Sequence, residues 1–323
     1  MPSETQPSFT KESFAAALAV APEGEPSLSP EQIMAQGSRS FTAASKLLPA
    51  RIRGASTAIY AFCRIADDAV DEADDSEQAL EILYERLDRI YDGRPLDHPV
   101  DRAFHDTVAA HRIPKAIPLA LFEGFQWDND GRTYATLDET LDYCARVAST
   151  VGVMMTLLIG ERRPEVLARA CDLGLAMQLT NICRDVGEDA ENGRIYLPLA
   201  WLEAAGIDPR AMTGHPRFTP ALGEVVRSLL DVADEHYRLA DIGISHLPGD
   251  SRLAIRAARL IYADIGRVIR KNGCDSISVR AYTGKWRKLW LCLRSLGARA
   301  RAPRPNETPP HPAVKFLVDA VVD

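Results

Sequence analysis

Cysteine is sparse in this 323-residue sequence and never paired in a CxxC motif: Cys63, Cys144, Cys171, Cys183, Cys274 and Cys292 lie scattered. That excludes a zinc ribbon and indicates no disulfide framework, so a reducing cytoplasm is the expected compartment. The seven histidines show no HExxH or similar ligand spacing. No GxGxxG fingerprint opens a helix, and no apolar run is read as long enough to span a bilayer. The short apolar stretch 14–20 has acidic residues on both sides and makes a poor signal peptide. Period-two alternation of β-branched residues is missing, as is any repeat period, which argues against sheets and solenoids.

What remains is ordinary globular chemistry, 46% apolar and 26% charged, read as one all-α domain. Residues 1–28, rich in Pro, Ser, Glu and Ala, are expected to be mobile. The helical domain is expected over 29–300, and the Pro-rich 301–323 to form a tail. Ser29-Pro30-Glu31-Gln32 reads as a capping box, as does Thr136 with Glu139 ahead of a helix over 137–159. Further helices are expected at about 51–72, 79–91, from Pro164 through Asp189, 220–244, 251–273 and 278–296, with shorter ones among Pro95, Pro99, Pro114 and Pro118. A loop carries Arg194 and Tyr196.

Charge is uneven. From Arg252 to Pro305 the balance is +12, leaving −19 for the rest of a chain whose net charge is −7. Within that basic block Trp286, Leu289, Trp290 and Leu293 fall at i, i+3, i+4 and i+7, flanked by Lys285, Arg287, Lys288 and Arg294. Such a stripe either packs onto the bundle with its charges solvated or docks on an anionic membrane.

The chemistry concentrates in two helical stretches. In QLTNICRDVGED, Asp185 and Asp189 stand one turn apart on one face, with Asn181 a turn before and Arg184 and Glu188 beside them. Asp67 and Asp71 repeat that spacing, with Asp68 between them, Arg64 a turn before Asp67, and Tyr60 a turn before Arg64. Carboxylates this close repel unless a cation lies between them. Hard oxygen ligands with an amide suit Mg²⁺, which keeps coordination sites for water and phosphate. Facing each other across a bundle, the two pairs would cage several Mg²⁺ ions, with arginine and serine donors for a diphosphate.

YAFCRIADDAVDE and QLTNICRDVGEDAENGRIYLP resemble the two aspartate-rich motifs of the squalene/phytoene synthase family, and most of all those of its bacterial phytoene-forming members. GSRSF, YCARVASTVG and ARLIYADIGRVIRKNG resemble further blocks in the same order, covering roughly residues 30–300. The resemblance implies an isoprenoid-synthase helical bundle with a central cavity. It further implies head-to-head condensation of two geranylgeranyl diphosphates through a cyclopropylcarbinyl diphosphate, in carotenoid biosynthesis. Asp67, Asp71, Asp185 and Asp189 would face Mg²⁺ (Mn²⁺ being an allowed substitute) together with Asn181. Arg64, Arg184, Arg194 and Tyr196 would surround diphosphate or metal. Ser38, Ser40 and Phe41 would form a lid over a diphosphate, Tyr60 and Tyr262 would stand beside the reacting centre, and Arg280 would be a further basic ligand. Gly37 stands where some relatives have histidine. Ser149 stands where many have glycine, and is expected to narrow the cavity or to bond the preceding helical carbonyl.

With the prenyl tail running away from the metal, Thr57 and Ser45 are small residues placed to form the floor that sets chain length. No nicotinamide cofactor and no nucleic acid are expected. Geranylgeranyl diphosphate, an anionic membrane at the inner face of the cell membrane and other carotenoid enzymes are the candidate partners. Two alternatives stay open: a squalene or dehydrosqualene synthase using farnesyl diphosphate, and a non-catalytic assembly protein on the same fold.

Overall fold

A computed structural model describes residues 28–37, 47–72, 76–214, 216–297 and 308–322. Among them every regular element is helical. Five helices make the N-terminal part: α1 Pro30–Gly37, α2 Ala50–Glu72, α3 Ser76–Tyr91, α4 Pro99–His111 and α5 Ala116–Asn129. A broken rod follows, α6 Leu137–Cys144, one π-helical turn Ala145–Ser149 and α7 Thr150–Ile159. Then come the 28-residue α8 Pro164–Glu191, short α9 Leu199–Ala204, α10 Pro220–His246, α11 Gly249–Lys271, α12 Lys285–Gly297 and α13 Pro312–Val322.

Local chemistry sets the starts. At α1 the Gln32 amide donates to Ser29 Oγ (3.3 Å) and the Ser29 amide to Gln32 Oε1 (2.7 Å), a reciprocal capping box. Thr136 and Thr219 accept from the Glu139 and Leu222 amides in the same way. Proline occupies the first turn of α4, α8 and α10, where its missing N–H costs nothing.

Two helices organise the packing. α1, α3, α4 and α5 gather on α2, while α10, α11 and α13 gather on α8; α7 touches both organisers, which share it as a neighbour instead of packing face to face. The rod 137–159 is, by length and composition, apolar enough to cross a membrane, contrary to the sequence reading; 61% of its apolar window is buried inside the protein. It is a core element, charged at its start but apolar all round over Thr150–Ile159, where helices pack against it. Its π-turn seats on Gly174 of α8, where a Cβ would lie 2.6 Å from Ser149 Cα. Ser149 is buried and donates to the Cys171 carbonyl (2.9 Å). Its hydroxyl ties the rod to α8 and bonds no carbonyl of its own helix, which corrects the second of the two expectations for this residue.

Two boundaries also need correction. The helix expected from Ser278 begins at Lys285, because residues 276–277 cross α8 at Gly187 and bend there, with the Ile277 and Ser278 amides donating to the Asp275 carboxylate. The Pro-rich tail expected from 301 ends in α13, whose Ala313, Val314, Leu317 and Val318 are buried in the main core. Arg169 of α8, itself buried, reaches the carbonyls of Thr308 and Pro309 and pairs with Asp172, which also bonds His236 at 2.8 Å. The six cysteines are all free, and burial pushes the Cys63 thiol up to about 12, in keeping with a packing role.

Candidate active site

Along α8 one stripe is only half-buried. It runs through Ala170, Leu173 and Met177 to Gln178, Asn181, Arg184 and Asp185, and reaches solvent at Glu188. Over ~22 Å, at 1.5 Å per residue, the helix thus passes from an apolar to an ionic surface. Half-buried Val147, Val151 and Met155 of the neighbouring rod add to the apolar surroundings. A ligand with a charged head and a hydrocarbon tail fits such a gradient.

At the ionic end Asp185 is gripped from two directions. Arg184 donates through Nε (2.8 Å) and also through its second nitrogen, and Arg280, 95 residues away, donates at 2.9 Å while its other nitrogen meets Glu188 at 3.0 Å. Gly187 makes this reach possible: its amide donates to the Ser276 carbonyl, and a Cβ there would lie 3.1 Å from that oxygen. Asp189 is half-buried, and its pKa is pushed up to about 8 by burial and then by Asp185 and Glu188, with Arg194 opposing. Arg194 comes back beside it because Gly193, at φ +74°, reverses the chain and lets the Arg194 amide bond the Asp189 carbonyl (2.8 Å).

Tyr196 departs from its expected place as a ligand. Its hydroxyl donates to Asp128 Oδ1 (2.7 Å), Tyr143 donates to Oδ2 (2.8 Å), and the two rings stack. With the Thr140 hydroxyl bonded to the Tyr196 carbonyl (3.2 Å), this buried group fixes the loop that carries Arg194. Asp128 and Gly187 escaped the sequence reading, since their partners lie 68 and about 90 residues away.

On α2, Arg64 pairs with Asp68 at 2.5 Å and more loosely with Asp67 at 3.7 Å. Asp68, the aspartate between the pair, is therefore the structural anchor, and Asp67 is left nearly half-exposed. Asp71 follows one turn later on the same helix. Two tyrosines connect the motifs electrostatically. Burial raises the pKa of both Tyr60 and Tyr262; Tyr60 senses Arg64, Asp68, Asp67 and Tyr262, and Tyr262 senses Arg184 and Asp185. Ser38, Ser40, Phe41 and Ser45 lie outside the described residues. Thr57 is buried, donating to the Arg53 carbonyl (3.0 Å) with Met34 Sδ of α1 at 3.9 Å.

Among the described residues no three carboxylate, histidine or cysteine side chains converge closely enough to hold a metal unaided. Mg²⁺ does not require that, as one or two carboxylates with waters and phosphate oxygens complete its shell. Asn181 supplies a specific fit: its Oδ1 is buried without a hydrogen-bond partner, a turn before Asp185, while its amide nitrogen bonds Gln178. An unsatisfied hard oxygen beside repelling carboxylates is what a divalent cation would satisfy.

Fold and site together define a helical enzyme for amphiphilic diphosphates. The chain belongs to the squalene/phytoene synthase family, whose model it matches over residues 34–287. It is 48% identical over 297 residues to the phytoene synthase of Rhodobacter capsulatus, covering 90% of this chain and 88% of that one. It is 47% identical over 304 residues to the phytoene synthase of Cereibacter sphaeroides, at 90% and 86% coverage. Among solved structures, a liganded dehydrosqualene synthase superposes with a TM-score of 0.76 at 29% identity, over 88% of this chain and 96% of that one.

Proposed function

We propose that this protein is a prenyltransferase that joins two molecules of geranylgeranyl diphosphate head to head to give phytoene, a step of carotenoid biosynthesis. The observation that carries the reading is the graded face of α8, ionic at Asp185 and apolar at Leu173 and Met177. The names of the relatives near half identity favour the C20 substrate over the C15 one. Intact carboxylates at Asp67, Asp71, Asp185 and Asp189 argue against a non-catalytic assembly protein.

Asp67, Asp71, Asp185, Asp189 and Asn181 are the residues to hold a divalent cation, which we take to be Mg²⁺; when bound it neutralises the diphosphate and assists its departure. Arg184 and Arg280, released from Asp185, and Arg194 are placed to take diphosphate oxygens, each a charge-assisted donor. Tyr60 and Tyr262, neutral as tyrosines are at physiological pH and held further so by burial, present hydroxyl dipoles between the two motifs. The apolar length of α8 and the rod shields the allylic cation from water.

Incubation with labelled farnesyl and geranylgeranyl diphosphates, with and without NADPH, tests this. The expected outcome is a C40 hydrocarbon from the C20 substrate, formed without NADPH. A C30 product as the dominant species would assign the protein instead to the squalene or dehydrosqualene reaction.

A further inference from the structure

α12 lies on α11 with its apolar face turned outward. Its inner stripe is Arg287, Leu291 and Ser295, the last two buried. The outer stripe consists of its bulkiest apolar side chains: Trp286 is 84% exposed, Leu289 52%, Trp290 47% and Leu293 58%. This orientation is held by a polar lock. Buried Asp264 of α11 accepts from Arg287 (3.0 Å) and Arg267 (2.7 Å), with the Thr283 hydroxyl at 3.4 Å. An amphipathic helix that used its apolar face for packing would bury those tryptophans; here a buried carboxylate holds the opposite side down. Two further large side chains, Val279 and Tyr282, stand exposed just before the helix.

Charge identifies the occupant. Between Ser276 and Asn306 the sequence contains eight arginines and lysines and no acidic residue, in a chain that is otherwise strongly acidic. Arg287 and Arg294 sit 4.4 and 5.5 Å from the Trp290 ring, so the indole is framed by cations. Tryptophan and leucine on one face with lysine and arginine beside them is the composition of a helix that lies in a lipid headgroup layer. We infer that α12 and the segment before it form a docking face for an anionic membrane surface.

Location gives the surface a use. Arg280 lies between exposed Val279 and Tyr282, and it is the residue that bonds Asp185 and Glu188. The docking face therefore adjoins the ionic mouth of the site, where amphiphilic substrates arrive. The docking argument stands on α12 alone; only this use rests on the proposed function.

The test uses the full-length protein without substrate or metal, so its outcome is independent of any activity. Vesicles of phosphatidylcholine alone, or with added phosphatidylglycerol, are sedimented over a salt series. Quenching of tryptophan fluorescence by acyl-chain-brominated lipid is read in parallel. Expected are binding to the anionic vesicles only, loss of binding as salt rises, and quenching that disappears in the Trp286→Ser, Trp290→Ser double variant. Lys285→Gln and Lys288→Gln should each weaken binding about fivefold. Circular dichroism checks that the variants keep their helices. Absence of binding, binding indifferent to lipid charge, or binding retained by the double tryptophan variant overturns the inference. So does lipid-independent dimerisation that the same double variant abolishes, which would make the face a contact between copies of this chain.

Discussion

At neutral pH the carboxyl of Asp189 retains a proton in the metal-free protein, because burial and then Asp185 and Glu188 push its pKa up to about 8. For a group raised in this way, the favourable contribution to folding is complete below the unfolded value near 4 and is lost as pH rises through 8. A bound divalent ion must displace that proton, so the Mg²⁺ concentration giving half-maximal stabilisation is expected to fall about tenfold per pH unit up to about pH 8, then level off. Thermal melts over a Mg²⁺ and pH grid measure this; an affinity independent of pH would exclude Asp189 as a ligand. Asp67→Ala and Asp185→Ala are expected to fold normally and to lose phytoene formation by about a hundred- to a thousandfold, the scale set by removing an electrostatic stabiliser. Near-parental turnover in either variant would remove the metal reading. These aspartates were legible in the sequence because i, i+4 spacing needs only a helix. Asp128 beneath Tyr196 and the need for glycine at 187 were not, since each depends on a partner brought in by tertiary folding. Nor does spacing alone choose between Asp67 and Asp68, both a turn from Arg64 on the same helix, as its anchor.

Helix starts were legible wherever a cap announced them, at Ser29, Thr136 and Thr219, and the ends erred where packing overrode pattern. The segment before Lys285 looks helical in isolation, but the chain crosses α8 at Gly187 and bends there, which delivers Arg280. α13 was missed because a proline-rich leader precedes it, although its Val314 and Leu317 are fully buried. At ~2 kcal/mol for each large buried aliphatic side chain, α13 contributes on the order of 6 kcal/mol, a large share of the net stability of a domain. Removal of residues 308–323 is therefore expected to leave no folded enzyme, and Leu317→Ala to cost ~2–4 kcal/mol in denaturant unfolding. A shortened protein of parental stability would show α13 to be dispensable. The α1–α2 contact makes a separate prediction. Thr57→Trp must displace Met34 and crowd the adjacent volume, and is expected to shift preference from the C20 to the C15 diphosphate by tens-fold. Competition between the two substrates reads it; unchanged use of the C20 substrate would place the tail elsewhere.

At the scale of the whole molecule, an acidic body and a basic C-terminal block meet at several ion pairs, and the one at the site is Arg280 with Asp185, where the second motif also contributes Arg184. A divalent ion reaching Asp185 has to detach both guanidinium groups, and a diphosphate seeking those guanidinium groups has to take them from Asp185. Either ligand alone therefore breaks contacts it cannot replace, whereas the two together restore every pairing. Such an arrangement acts as a coincidence detector: inorganic diphosphate is expected to tighten Mg²⁺ binding, and Mg²⁺ to tighten diphosphate binding by the same factor, about 5- to 150-fold. Calorimetric titration of each ligand in the presence and absence of the other measures it. Arg280→Gln should shrink the diphosphate contribution while easing the binding of Mg²⁺ alone, since the ion then has one fewer guanidinium to displace.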